Sequence, residues 1–329
     1  LQTSINPSQN MKSSLCYRLA NMTLKKFLVL FLVFGLSSLP AFGQPLKKDV
    51  LLEKQLLELV KPFKGTVGIY VQHLKRGRFA AVNPDTLFPT ASMIKVPIMA
   101  GLFDKIQKEE IKYHDTWTYK DSLLYAGEDI LGSFKDGEKI SVSKVAMLMI
   151  TTSDNTASLW CQLMAGTGTA INAFMETNGF AQTRVNSRTP GREAIRSKFG
   201  WGVTTPREMT ELMIRIRQGK LISPAASEEM YRNLTRIYWN DEALSQIPPY
   251  VQVASKQGAV DRSRSETVLV NAPSGDYAFT VITKNQTDTS WTYDNEGYVL
   301  LRRVSALLWK HFEPKSPWKP TDGMKIFWD

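Results

Sequence analysis

Leucines at 51, 52, 56, 57 and 59, with Glu53, Lys54 and Glu58 among them, give residues 50–61 one apolar face and predict a helix. Residues 66–74 and 78–82 are rich in β-branched and aromatic side chains. Joined by Lys75-Arg76-Gly77, they read as a hairpin. From Ala91 to about Asn233 the pattern turns helical, with segments predicted at 93–108, 143–150, 156–165, 169–177, 206–218 and 224–233 between polar loops. Strand character returns at 251–256, 266–270 and 277–284, ahead of an amphipathic helix from about Glu296 to Phe312. The tail from Pro314, with prolines also at 317 and 320, reads as an extended strap.

Sheet segments near both ends therefore bracket a helical middle. This predicts an α/β domain built from 44–88 and 235–312, an all-α domain inserted at 89–234, and a tail at 313–329. A cleft between two such domains is the expected place for a site. The longest irregular stretch, residues 187–205, is long enough to read as a functional loop.

Residues 22–43 depart from this pattern. Lys25 and Lys26 precede an apolar run from Phe27 to Leu36, followed by Pro40 and the small-residue ending Ala41-Phe42-Gly43. This reads as a signal peptide cut near Gly43, since so short a run falls below the roughly 20 residues that span a bilayer. No stable membrane anchor is expected, and the destination is periplasmic or extracellular. Residues 1–21 have no domain-like pattern and are set aside.

The whole chain carries 41 Lys and Arg against 31 Asp and Glu, a formal net charge of +10. Cleavage near Gly43 would remove Lys12, Arg18, Lys25 and Lys26 and no acid, leaving 37 minus 31, or +6. That balance suits an anionic partner such as a cell-wall polymer. Without a dense basic cluster interleaved with aromatics, no nucleic-acid partner is expected. Of the two cysteines, Cys16 precedes the signal and Cys161 lies on an apolar helix, so no internal disulfide is expected. His73, His114 and His311 are scattered, form no metal-type cluster and give no Ser-His-Asp order; neither metal nor cofactor is expected.

Ser92-Met93-Ile94-Lys95 places a hydroxyl and an amine three residues apart, on one face of a helix. A buried, neutral lysine there can take the serine proton. The spacing is common, and Ser141 to Lys144 and Ser316 to Lys319 share it. What distinguishes Ser92 is the uncharged stretch from Val96 to Phe103 that follows, a rigid platform. Ser153-Asp154-Asn155 falls between two apolar helices, where a helix N-cap is the alternative explanation. Lys256-Gln257-Gly258 ends a predicted strand, offering a fixed charge and a backbone that a ligand can approach.

In this order the three segments resemble the S-x-x-K, S-D-N and K-T-G motifs of the penicillin-recognising serine enzymes. FPTASMIKVPIMAGLFDKI and LMITTSDNTASLW are especially similar to class A β-lactamases, and the resemblance spans about residues 48 to 312. It implies a β-lactamase-like two-domain fold, with an antiparallel sheet flanked by helices and an inserted helical domain. It also implies attack by Ser92, proton transfer by Lys95 and Ser153, and a substrate amide held by Asn155. Lys256 would supply positive potential near a substrate carboxylate, with the N–H groups of Ser92 and Ala259 as an oxyanion hole and Gln257 and Gly258 lining the substrate site. Arg264 resembles the family's carboxylate-binding arginine, with a solvated surface residue as the alternative.

Two departures stand out. Gln257 replaces the hydroxyl residue of K-[ST]-G, and the family's E-P-x-L-N falls on Thr189-Pro190-Gly191-Arg192-Glu193. Thr189 thus stands where the deacylating glutamate belongs. Glu193 is the substitute base we expect, with an ion-paired loop residue as the alternative. The expected substrate is a small β-lactam, handled by a monomeric enzyme of the class A serine β-lactamase type. The alternatives are a carboxypeptidase or esterase acting on D-alanyl peptides, and a β-lactam or peptidoglycan sensor that deacylates slowly.

Overall fold

The computed structural model describes residues 45–127 and 129–320. The expected signal segment and the stretch before it lie outside the described residues. Among the described residues no helix is long and apolar enough to cross a membrane.

A six-stranded sheet organises the chain. Its strands are β1 (Lys47–Lys48), β2 (Thr66–His73), β3 (Arg78–Val82), β9 (Val253–Val260), β10 (Ser263–Val270) and β11 (Tyr277–Lys284), in the spatial order β1-β3-β2-β11-β10-β9. Pairing is antiparallel except at the short β1, which runs parallel to β3. Between β3 and β9 lie the two-residue strand β4 (Phe88–Pro89), the pair β5 (Thr116–Thr118) and β6 (Lys139–Ser141), and the pair β7 (Arg184–Val185) and β8 (Gly202–Thr204).

Side chains alternate across the sheet with period two, and each face has its own core. On β10, Val268 and Val270 turn to one side with Val67, Ile69, Val71 and Phe279. Helix α1 (Val50–Val60) contributes Leu52 and Leu56 to that side, and the last helix, α9 (Glu296–Phe312), contributes Leu300, Val304 and Leu308. Leu269 turns to the other side with Ala254, Ala278 and Ile282, into the core of the helical middle. The intervening helices are α2 (Lys95–Gln107), α3 (Val142–Thr151), α4 (Asn155–Met164), α5 (Thr167–Thr177), α6 (Glu193–Phe199), α7 (Pro206–Arg217) and α8 (Pro224–Leu234). Both strands of the β10–β11 hairpin are covered on both faces, so every residue of β10 and all but Lys284 of β11 are buried, although β10 opens with the polar run Ser263 to Thr267.

The helical middle is pinned to the sheet by polar contacts as well as packing. Thr210 on α7 donates to Thr280 Oγ1 at 2.8 Å, and Thr280 in turn donates to Thr267 Oγ1 at 2.8 Å. The strand expected at 251–256 runs on to Val260, which carries the whole Lys256-Gln257-Gly258-Ala259 segment in extended backbone. The loop expected at 187–205 holds the short helix α6 and the strand β8, which pairs with β4 and β7. In the tail, Trp318 packs against the core on the α1 and α9 side of the sheet.

Candidate active site

Ser92 stands at the head of a deeply buried helix. Ala91 has a φ of 43°, and residues 91–94 form a single 3-10 turn leading into α2. From Lys95 to Phe103 every side chain of α2 is buried, so the nucleophile sits on an element that cannot easily shift. Lys95 is fully buried, its Nζ 3.1 Å from Ser92 Oγ, 3.1 Å from Ser153 Oγ and 2.7 Å from Asn155 Oδ1, with the Ser153 carbonyl as a fourth neighbour. Burial holds its amine down at about 7, against which Asp129 and Asp154 pull weakly upward. An ammonium has three protons for four neighbours, whereas a neutral amine can accept a proton from one of the two hydroxyls.

The Ser153-Asp154-Asn155 segment serves as a cap and as part of the site at once. Asp154 accepts from Ala157 N at 2.7 Å, capping α4, and from Leu131 N at 2.7 Å. Ser153, at φ 63°, takes a conformation unusual for a residue with a side chain, and this turns its hydroxyl onto Lys95. Asn155 Oδ1 accepts from Lys95 Nζ, which leaves the amide nitrogen for the cavities that Asn155 lines.

Lys256 closes the constellation from the sheet. Its Nζ donates to Ser153 Oγ at 3.0 Å, so one hydroxyl bridges both buried lysines. Gln257 supplies the other acceptors, its carbonyl at 3.1 Å and its side-chain Oε1 at 2.9 Å. Burial first, then the Lys95 charge, depresses the Lys256 amine. Behind it lies an acidic group. Burial pushes Glu266 up to about 7, and burial together with Glu266 and Asp241 raises Glu242. Gly258 is required by close approach, since a Cβ there would lie 2.6 Å from the Thr90 carbonyl and 2.9 Å from Ser92 N. The same approach sets Ala259 beside Ser92, and both line each of the two cavities described next.

Those cavities, of about 680 and 620 Å³, meet at Ser92, Asn155 and Ala259. The first is walled by Tyr125 and Trp201, edge to face at 5.3 Å, and by the loop after α6. The second holds Ser153, Gln257 and Gly258 and runs out to Trp239, Trp291 and Arg302. Arg302 lies over the Tyr293 ring at 3.8 Å and donates to the Tyr293 carbonyl.

The structure does not bring two of the expected residues to the nucleophile. Glu193 is exposed in the first turn of α6, where its Oε1 accepts from Gly191 N at 3.1 Å, and it lines neither cavity. The loop turns the carboxylate back on its own backbone and out to water. It makes no salt bridge with Arg192 or Arg196 among the described residues, so the ion-paired alternative is not observed either. Thr189 is buried against α5, where its hydroxyl occupies the space a side chain on Gly168 would need.

Arg264 is neither a solvated surface residue nor part of a cavity wall. It is fully buried, stacked at 4.4 Å on Trp291 and 4.7 Å on Tyr298, with its guanidinium donating to the carbonyls of Val260, Ser263 and Ser290. It supports the second cavity from behind through Trp291. Sequence reasoning missed Arg302, Asp241 and Glu242, which converge on that cavity from a helix and a loop far apart in the chain. Glu266, an acid leading into the apolar run Val268 to Val270 of β10, was a signal that could have been read.

Known proteins resemble this chain in sequence and in fold. A beta-lactamase of Stenotrophomonas maltophilia is 22% identical over 172 residues, covering 52% of this chain and 56% of that enzyme. Beta-lactamase AER-1 of Aeromonas hydrophila is 23% identical over 248 residues, covering 74% of this chain and 79% of its own. Among solved structures, PBP-A superposes with a TM-score of 0.74 at 26% identity, covering 82% of this chain and 98% of PBP-A, and a mutant of it has been solved as an acyl-enzyme complex with penicillin G. The beta-lactamase enzyme family matches residues 51–312, and with its serine hydrolase fold and function this chain belongs to that family.

Proposed function

We propose that the enzyme opens β-lactam rings by acylation of Ser92. The observation that carries this reading is the pair of bonds from Lys95 Nζ to Ser92 Oγ and Ser153 Oγ, both 3.1 Å, at an amine that burial holds near neutrality. Lys95 takes the Ser92 proton as Oγ attacks the ring carbonyl. The N–H groups of Ser92 and Ala259 stabilise the oxyanion, a contribution of about 3 to 4 kcal/mol per donor. Ser153, held between Lys95 and Lys256, protonates the departing nitrogen, and the Asn155 amide holds the acyl-side amide.

Deacylation is where the reading divides. The Glu193 carboxylate faces solvent, and the described residues lining the first cavity include no Asp or Glu. With no carboxylate among the described residues on that side of the ester to activate a water, deacylation is expected to be slow. This favours a second reading, a D-alanyl peptidase or esterase, or a slow sensor, that penicillins trap. We further propose export after cleavage near Gly43.

Intact mass after mixing with benzylpenicillin tests the shared step. A single adduct, absent in S92A, supports acylation at Ser92, and an adduct on S92A removes it. Steady-state hydrolysis of nitrocefin then separates the two: many turnovers favour a β-lactamase, and one stoichiometric burst favours the second reading.

A further inference from the structure

The two cavities that meet at Ser92 differ in charge. Lys198, Arg262 and Lys284 line the first, with no Asp or Glu among the described residues around it. Asp129, Asp241 and Glu242 line the second, against Arg302 alone. Ser153 lines only the second. As the hydroxyl placed to protonate the departing nitrogen, it marks that cavity as the leaving-group side. The cationic cavity is therefore the acyl side.

Three cations converge there without a counter-charge. No salt bridge among the described residues involves Lys198, Arg262 or Lys284. Lys284 is half-buried, donates to the Leu87 carbonyl at 2.8 Å and lies 4.9 Å over the Phe88 ring. Burial and the neighbouring Lys198 charge both hold its amine down, so the two lysines are close enough to repel. Arg262 uses one N–H on the Gln286 carbonyl at 3.3 Å. Each of these groups keeps further donors for a ligand. Tyr125 and Trp201 form the apolar wall beside them.

We propose that the acyl-side cavity is a recognition site for an acyl group carrying an anion, an aryl or alkyl side chain with a carboxylate, held by Lys198, Arg262 and Lys284. The proposal rests on the acylation reading for its orientation, but the binding it requires does not depend on turnover. On the acyl side such a substrate meets three cations and, among the described residues, no acid.

The test compares benzylpenicillin with its α-carboxy and α-amino analogues, which differ by one substituent on the carbon next to the side-chain carbonyl. Two or three partly exposed ion pairs of ordinary strength correspond to about a tenfold preference. We expect acylation kcat/KM at low salt to rise about tenfold for the carboxy analogue and fall for the amino analogue, with the spread shrinking at high salt. K198E, at an exposed position, should erase or invert the order. Calorimetric binding of the three compounds to S92A reads the site without chemistry. Tighter binding of the carboxy analogue by S92A, together with no acylation of the parent enzyme by any of the three penicillins, would uphold the anion site while removing the β-lactam reading. Equal rates and equal affinities for all three, an order unmoved by K198E, or no binding of the carboxy analogue would overturn the inference.

Discussion

Lys95 Nζ and Ser92 Oγ lie 3.1 Å apart on successive turns of buried helix, and water is excluded from the amine. A base that must be neutral to act loses activity as it is protonated. With the amine at about 7, acylation should rise with pH through about 7 and level off above it. Stopped-flow acylation across pH 5 to 9 checks this. A rate flat across that range would show that Lys95 is not the proton acceptor.

Lys256 is bonded to Ser153 Oγ at 3.0 Å from a fully buried position, so its role in chemistry and its effect on stability should oppose each other. Lys256→Met removes a buried amine that desolvation and Lys95 already disfavour. Acylation should fall about 10- to 100-fold, as for a lost charge-assisted bond of about 1.5 to 3 kcal/mol. The melting temperature should hold or rise. A sharp drop in melting temperature with acylation unchanged would make Lys256 structural.

Arg264 gives a separate expectation. Its removal takes a donor from three carbonyls, of which that of Ser290 still accepts from Asn295 Nδ2, and takes the support from Trp291 and Tyr298. Arg264→Ala should cost about 3 to 5 kcal/mol of stability, the usual range for breaking a buried charged network. Because the guanidinium lines neither cavity, substrates with and without a leaving-side carboxylate should be affected alike. Urea unfolding measures the first effect, and a matched acid and ester pair measures the second. A selective loss for the acid would return Arg264 to substrate binding.

Much of this site was legible from local pattern. Ser92, Lys95, Ser153, Asn155 and Lys256 sit at ends of helices or in a strand whose hydrophobic periodicity is clear, and short spacings carry them to one point. What stayed hidden depends on long-range packing. Arg264 alternates with Ser263 and Ser265 on a strand that looks half polar, and only the cover of α9 and Trp291 makes it a core residue. Arg302 and Glu242 meet across 60 residues of chain, a juxtaposition no local period encodes. Glu193 was placed by counting along a loop. A loop turn can invert a side chain's direction without altering the count, and that is what α6 does here.

That inversion carries the last prediction. The sequence pattern makes Glu193 the substitute for a missing base, in which case Glu193→Gln should slow turnover by about 10² to 10⁴-fold and let the acyl-enzyme accumulate. The geometry requires the opposite outcome. Glu193 is exposed, its Oε1 accepts from Gly191 N at 3.1 Å, and neither cavity at Ser92 includes it. An amide keeps the acceptor that holds this turn, and a lost charge near the start of a short exposed helix is worth about 0.3 to 1 kcal/mol. Acylation and deacylation of Glu193→Gln should therefore both stay within about twofold of the parent, a difference of about 0.4 kcal/mol in barrier. Rapid mixing with nitrocefin, followed by intact mass at the end of the burst, separates the two steps. Should the variant alone hold a stoichiometric adduct while the parent turns over, the loop must move on acylation to bring this carboxylate to the ester.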